Sequence, residues 1–371
     1  MSKVKVTYII SNINKALAFE WIAESFINKS IQLSFILLND VESELEHFLR
    51  SKNVNVDRIQ FSGTKKDLSN AFFQVLNKMI NSRPDAIHCH MFDACIIGLS
   101  AGMILNVKKR IFTRHSGSYN WSYNQKGHKY DRLLAWLATD IVAISENVKN
   151  LLLQEGAKEN KINIIHHGFK LNEFENIIPN RISKLKNNFN PSNKQPVIGV
   201  ISRWLHLKGI QYIIPAFKKL LNDYPDALLI LANANGPYKP EIEKLLTGLL
   251  TDSYRIIPFE NDLFALYQLF DIYVHTPINP TIEAFGQTYV ESLAAGIPSV
   301  FTMSGVAPEF IEHEKNALVV PFKDSEAIYM SMKRLMEDEK LKLKIVENGR
   351  NDLSGFELDK MITKLQKLYE E

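Results

Sequence analysis

The stretch Asn279-Pro-Thr-Ile-Glu-Ala-Phe-Gly-Gln-Thr-Tyr-Val-Glu-Ser-Leu-Ala-Ala-Gly-Ile-Pro-Ser-Val300 decides how the rest of this chain is read. It follows an apolar, strand-like run, Ile272 to His275, and a loop bounded by prolines. Gln287 to Ala295 then reads as a helix, ended by Gly296 and Pro298, because glycine accepts the left-handed turn of a helix end and proline cannot continue the ladder. Glu283 and Glu291 lie eight positions apart, with Phe285-Gly286 between them at the turn into the helix. A fully helical span of that length separates the α-carbons by roughly 12 Å, at about 1.5 Å rise per residue. A hydrolytic pair acting with retention needs its carboxyl groups only about 5 to 5.5 Å apart. The spacing therefore argues against a hydrolytic acid/base pair. It suits the two ends of one long ligand whose anionic middle sits at the amides of the helix N-terminus.

The 371 residues suit two domains better than one, since single cores stop growing near ~250 to 300 residues. With 46% hydrophobic and 23% charged residues the composition is that of an ordinary globular protein, and a net charge of +3 gives no reason to expect nucleic acid. The longest mostly apolar run, Ala94 to Leu105, is too short to span a bilayer. The N-terminal apolar stretch ends by Ser11 and reads as a first strand rather than a signal peptide. Cys89 and Cys95 are the only cysteines, so neither a disulfide framework nor a cysteine-rich zinc site is expected, and the cytoplasm is the default compartment.

Short β-branched runs alternate with helical patterns, which predicts an α/β fold with parallel sheets. The first half offers strands at Val4–Ile10, Leu33–Leu38, Arg58–Phe61, Ala86–His90, Arg110–Thr113, Ile141–Ile144 and Asn163–His166. A polar segment, Asn172 to Pro196, reads as a linker. Further strands follow at Val197–Ile201, Leu228–Ala232, Arg255–Pro258, Ile272–His275, Val300–Thr302 and Leu318–Val320, and an amphipathic helix, Leu358 to Tyr369, closes the chain. Two consecutive Rossmann-like halves predict a cleft between domains, with ligands at the carboxyl ends of the strands.

Several loops hold side chains suited to a phosphorylated ligand. Arg203 and Lys208 stand five apart between a strand and a helix; the fixed fork of one and the mobile charge of the other can together neutralise a diphosphate. The loop Ser11 to Ala16 has no glycine, and Asn12, Asn14 and Lys15 are its hydrogen-bonding side chains. His88 and His90 point the same way on a strand, but no third ligand pattern makes them a metal site. Phe112-Thr113-Arg114-His115-Ser116-Gly117 is a strand end entering a loop, followed by Tyr119, Trp121 and Tyr123, whose aromatic faces suit sugar rings. No Asp-x-Asp occurs anywhere, and Arg203, Lys208 and the dipole of the helix after Gly286 are the sources of positive field that the sequence offers to a diphosphate.

The loop glutamate, Phe-Gly and helix glutamate together resemble the signature of the retaining glycosyltransferases of the GT-B fold, glycosyltransferase family four, and the resemblance extends over nearly the whole chain. It implies two Rossmann-like domains: 1–172 for the acceptor, 173–355 for the nucleotide-sugar donor, and a C-terminal helix, 356–371, crossing back onto the first. It also implies a metal-independent hexosyltransferase with no cofactor, moving a sugar from a nucleotide-diphosphate sugar to a hydroxyl of a carbohydrate or lipid-linked acceptor, in polysaccharide or glycolipid assembly. By the same resemblance Glu283 lies near the transferred sugar and Glu291 holds the ribose. Phe285, Gly286, Gln287 and Thr288 bring backbone amides to the donor, and Pro258 sits where the base is gripped. Arg203 and Lys208 form the phosphate clamp, although Ser202 replaces the family's usual glycine, and His115 contacts the sugar or its phosphate. Asn12, Asn14 and His90 fall at the acceptor side of the cleft. The turn Ser304 to Glu309 resembles the family's Gly-Val-Pro-Glu turn with Ala307 inserted, and Glu309 is expected to support the site structurally. Family precedent favours front-side attack, with a donor phosphate oxygen taking the acceptor's proton. Many relatives use lipid acceptors, so peripheral contact with the inner face of a membrane is compatible with the resemblance, yet no strongly basic amphipathic helix stands out in the first half. Two alternatives share the fold: a sugar-nucleotide 2-epimerase, and a non-catalytic sugar-nucleotide-binding subunit.

Overall fold

A computed structural model of the chain describes residues 3–27, 29–118 and 127–371. The chain divides into two compact units, Met1–Phe169 with Leu358–Glu371, and Lys170–Glu357. The aromatic residues 119, 121 and 123 lie outside the described residues.

In the first unit, strands β1 (Val4–Ser11), β2 (Ile31–Leu38), β3 (Asn55–Ile59), β4 (Ala86–His90), β5 (Lys109–Arg114), β6 (Asp140–Ala143) and β7 (Ile162–Ile164) form one parallel sheet in the order β3-β2-β1-β4-β5-β6-β7. These strands are β-branched and apolar because helices cover both faces of such a sheet. Helix α1 (Leu17–Phe26) follows β1, α2 (Phe92–Ile104) follows β4, and α3 (His128–Leu137) follows β5. Two glycines let α2 lie close against the sheet: a Cβ at Gly98 would stand 2.6 Å from Cys89 Sγ, and one at Gly102 2.5 Å from Ile87 Cδ1.

The second unit has six parallel strands, β8 (Val197–Ile201), β9 (Leu228–Ala232), β10 (Tyr254–Ile257), β11 (Ile272–His275), β12 (Ser299–Phe301) and β13 (Leu318–Val319), in the order β10-β9-β8-β11-β12-β13. The order reverses between β8 and β11. Their following loops, one holding Arg203 and Lys208 and the other Glu283, therefore leave the sheet side by side, at the position where such sheets bind ligands.

The polar segment expected as a linker is instead partly helical. Helix α4 (Pro179–Phe189) starts with proline in its first turn, buries Leu185, and is held by Arg181, which forks onto Asp262 at 2.5 and 2.7 Å. Its few apolar positions hid it, because a helix anchored by one leucine and one ion pair leaves little periodicity to read. Helix α5 (Gln287–Ala294) follows β11, with Gly286 at its start and Gly296 at its end, both at positive φ.

Helix α6 (Leu358–Glu370) belongs to the first unit and packs on α1 and β1. Its buried Tyr369 hydroxyl lies 2.6 Å from the Tyr8 hydroxyl and 2.7 Å from His88 Nδ1, and His88 Nε2 reaches Thr113 Oγ1 at 2.7 Å. One polar chain thus ties the end of the sequence to β1, β4 and β5. Among the described residues no helix is long and apolar enough to cross a membrane.

Candidate active site

The loop after β8 passes through a short helical turn and reaches Gly209, whose φ of 76° only glycine adopts without strain. A Cβ there would stand 1.8 Å from the carbonyl oxygen of Thr276, just past β11, so the glycine lets the two loops touch. That contact delivers Lys208 to Glu283. The Lys208 ammonium donates to Glu283 Oε1 at 2.5 Å, and His275 Nε2 lies 3.4 Å from the same oxygen. Burial works against a charge on Glu283, but the Lys208 ammonium and His275 outweigh it and hold the carboxyl well below the usual carboxylate range. Burial also lowers His275, while Glu283 pulls it the other way. Arg203, the other half of the expected clamp, is exposed, and its guanidinium has no ion-pair partner among the described residues.

Glu283 is held from below by the turn after β12. Its amide donates to Ser304 Oγ at 3.3 Å, the Gly305 amide to the Pro280 carbonyl at 3.1 Å, and the Val306 amide to the Phe285 carbonyl at 3.0 Å. Phe285 is buried against Phe356. Gly286, Gln287 and Thr288 then open α5, leaving first-turn amides without carbonyl partners inside the helix.

One turn further along, Glu291 lives in a different environment. It is buried, Tyr267 donates a hydrogen bond to its Oε2 at 2.9 Å, and burial pushes its carboxyl up to about 7. The two glutamates of the motif are thus driven in opposite directions: Glu283 is locked as an anion, and Glu291 sits near its titration midpoint at neutral pH. Pro258 and Phe259 are exposed just after β10.

In the first unit, His90 and His115 come together, with His90 Nδ1 3.0 Å from His115 Nε2. His115 stacks on His167 with ring centroids 5.7 Å apart. Burial keeps this row neutral, pushing His115 down to about 4, His167 to about 3, and His90 well below its ordinary value. Nε2 of His90 is buried without a hydrogen-bond partner among the described residues. Arg114 is buried instead, bonding Asp131 and Glu155. Beside His115 a cavity of about 540 Å³ opens, with Met91, Phe92, Phe112 and Tyr130 among its walls. Asn12 and Asn14 do local work: the Asn12 amide group donates to Asp93 at 3.3 Å, and Asn14 accepts from the Glu44 amide at 3.3 Å and donates to the Glu44 carboxylate at 3.2 Å. Among the described residues no group of three or more His, Cys, Asp or Glu is placed to hold a metal ion.

Residues 182–352 match the family model of glycosyl transferases group 1, and residues 29–173 that of glycosyltransferase family 4. The chain belongs to this glycosyltransferase family. The transferase is 26% identical over 342 residues to the capsular polysaccharide biosynthesis glycosyltransferase CapM of Staphylococcus aureus, covering 82% of this chain and 86% of that one. In structure it resembles HepE of Anabaena, solved with UDP-glucose (TM-score 0.84, 21% identity, 99% of this chain and 100% of that one). It also resembles a glycosyltransferase of Rickettsia africae (TM-score 0.82, 22% identity, 100% and 98%). These likenesses establish the GT-B architecture of the transferase.

Sequence reading missed three residues that shape this site. His275 ends an apolar strand, where a lone histidine looks like core. Tyr267 lies 24 positions before Glu291 with no local pattern to pair them. Ser304 is an ordinary turn residue until its hydroxyl is seen under the Glu283 amide.

Proposed function

We propose that this transferase moves a hexose, with retention at the anomeric carbon, from a nucleoside diphosphate sugar to an acceptor hydroxyl in polysaccharide or glycolipid assembly, without a metal ion. The observation that carries the reading is the opposed setting of Glu283 and Glu291 at the two ends of the α5 entry. An anionic Glu283, paired with Lys208, suits the reacting sugar, where positive charge grows as the bond to the diphosphate breaks. Glu291, buried and bonded by Tyr267, accepts hydrogen bonds from a ligand's hydroxyls in the ionised form that it reaches above about pH 7. Between them the first amides of α5, with Arg203 and Lys208, face the negative charge collecting on the departing diphosphate, and such preorganised donors lower the barrier most where charge develops. The bond from the anomeric carbon to the diphosphate oxygen breaks, the acceptor oxygen bonds to the same carbon, and the acceptor proton passes to a diphosphate oxygen. In this reading the second unit takes the donor, the first takes a carbohydrate or lipid-linked acceptor near His115 and His90, and HepE's complex with UDP-glucose makes uridine diphosphate sugars the first to try.

The test is a thermal-shift panel of nucleoside diphosphates and their sugars, followed by product analysis with the labelled sugar that raises stability most. A glycoside formed equally well in excess chelator supports the reading. An epimerised donor assigns the fold's 2-epimerase chemistry instead, and restoration of lost activity by Mn²⁺ or Mg²⁺ contradicts metal independence.

A further inference from the structure

Lys208 serves two anions. In the structure its ammonium is bonded to Glu283 Oε1 at 2.5 Å; in the proposed function it also faces the departing diphosphate. Its side chain is 25% exposed on a flexible four-carbon stem, whereas Glu283 and His275 are buried. A diphosphate carries more charge than one carboxylate and draws the ammonium outward, while the turn after β12 keeps Glu283 in place. A buried carboxylate that loses its counter-charge beside an incoming anion takes up a proton unless another donor holds it.

His275 is placed to be that donor. Its Nε2 lies 3.4 Å from the same Oε1, longer than a full hydrogen bond, and has no hydrogen-bond partner among the described residues. Burial keeps the ring neutral, so it carries a single N–H. The carboxylate beside Nε2 places that hydrogen on Nε2, since the other tautomer turns a lone pair toward an anion. Tyr289 steadies the ring edge-on at 4.9 Å and sends its own hydroxyl to the Thr302 carbonyl at 2.9 Å. Lys208, His275 and Tyr289 thus face Glu283 from the loop after β8, from β11 and from α5.

We infer that His275 is a positioning residue that takes Glu283 over from Lys208 when a diphosphate enters. The ammonium crosses to the ligand, the His275 N–H closes on Oε1, and Glu283 stays an anion opposite the sugar. The Lys208–Glu283 pair is then a resting arrangement that the ligand exchanges. This rests on the proposed function for the diphosphate, and the hand-over itself is a property of these three side chains.

The experiment titrates the full chain with uridine diphosphate by calorimetry in two buffers of different ionisation enthalpy, which counts protons taken up on binding. His275→Phe fills the place of the ring without an N–H, and His275→Gln keeps an N–H at similar reach. His275→Phe should take up more protons than the wild type, by up to about one per site near neutral pH, and adding Glu283→Gln should erase the excess. Glu291 contributes equally to both chains and cancels in the difference. Slow hydrolysis of the nucleotide sugar should fall about tenfold or more in His275→Phe, the weight of one hydrogen bond to a charged group, and largely recover in His275→Gln. In the wild type, nitrogen-15 NMR should find His275 protonated on Nε2, with that resonance moving downfield as the nucleotide binds; this reading needs no variant. A proton count and hydrolysis rate unchanged in His275→Phe overturn the inference, since the ammonium then bridges both anions. So does a bare or unmoved Nε2, or a His275→Gln chain that binds nucleotide yet hydrolyses donor as slowly as His275→Phe. Absence of a thermal shift with any nucleoside diphosphate fails the transferase reading and the inference together, whereas binding without the hand-over fails the inference alone.

Discussion

The Lys208 ammonium and the Glu283 carboxylate meet at 2.5 Å although 75 positions separate them in the chain. The topological reversal between β8 and β11 brings them together, and Gly209 against Thr276 sets the last few ångströms. The pair fixes an anion in a buried loop before any ligand arrives. A preformed charge of this kind costs no reorganisation when the sugar begins to leave.

Removing one partner strands the other. Lys208→Ala leaves Glu283 buried without its main counter-charge and should cost about 3 kcal/mol of stability, the scale of breaking a largely buried pair. Lys208→Ala/Glu283→Gln should recover much of that loss in a double-mutant cycle of denaturant unfolding, while turnover stays low. Glu283→Gln alone should lower kcat and spare nucleoside diphosphate affinity, because the proposed function sets this side chain against the sugar and not the nucleotide. Additive stability losses in the cycle would show that the two residues do not act as a pair.

Glu291 supplies a pH dependence of defined sign. Its folded carboxyl sits at about 7 against an ordinary value of 4.5, so the folded chain holds a proton that the unfolded chain releases between those two values. The stability it contributes is therefore present below pH 4.5, falls as pH rises through that window, and is gone above 7, a change on the order of 3 kcal/mol. Glu291→Gln keeps an acceptor for Tyr267 and cannot ionise. Its melting temperature should exceed that of the wild type at pH 8 and match it near pH 4.5. Ribose hydroxyls favour the ionised carboxylate, so wild-type affinity for a nucleoside diphosphate should weaken up to about tenfold from pH 8 to pH 6, and Glu291→Gln should bind with no such slope. Calorimetric titrations at the two pH values check it.

Much of this arrangement is legible in the chain itself, for identifiable reasons. Strands such as Ala86–His90 and Val197–Ile201 are buried on both faces, so their apolar runs mark them with little competition, and Gly286 and Gly296 bracket α5 where the chain takes positive φ at both positions. Lys208 and Glu283 stand out in the sequence as charges in loops that follow apolar strands, and the structure pairs them. What stays hidden depends on distant partners. Asn12 and Asn14 bond Asp93 and Glu44, partners 81 and 30 positions away that no local pattern shows. His275 gains meaning only from Glu283, and the tie from Tyr369 to His88 spans 281 positions, beyond any local pattern.

The turn beneath the glutamate loop allows a test that touches no reacting group. Gly305 has φ of 62°, and a Cβ there would stand 2.5 Å from the Phe285 carbonyl oxygen and 2.8 Å from Glu283 Cβ. Gly305→Ala should therefore push the loop outward, destabilise the protein by about 2 kcal/mol or more, and reduce kcat at least tenfold, since small misplacements at a reacting centre are costly. A variant with wild-type kcat would separate the position of Glu283 from catalysis.

The proposed retention of configuration, with an anionic Glu283 set against the sugar, is measured most directly by slow donor hydrolysis, which needs no knowledge of the acceptor. The nucleotide sugar that stabilises the protein most is incubated with enzyme in heavy water, and the anomeric proton of the first sugar released is followed by NMR before mutarotation sets in. An α-linked donor should release the α anomer first, with Lys208→Ala and Glu283→Gln both slowing release. Initial appearance of the β anomer, or release at the wild-type rate in both variants, would contradict it.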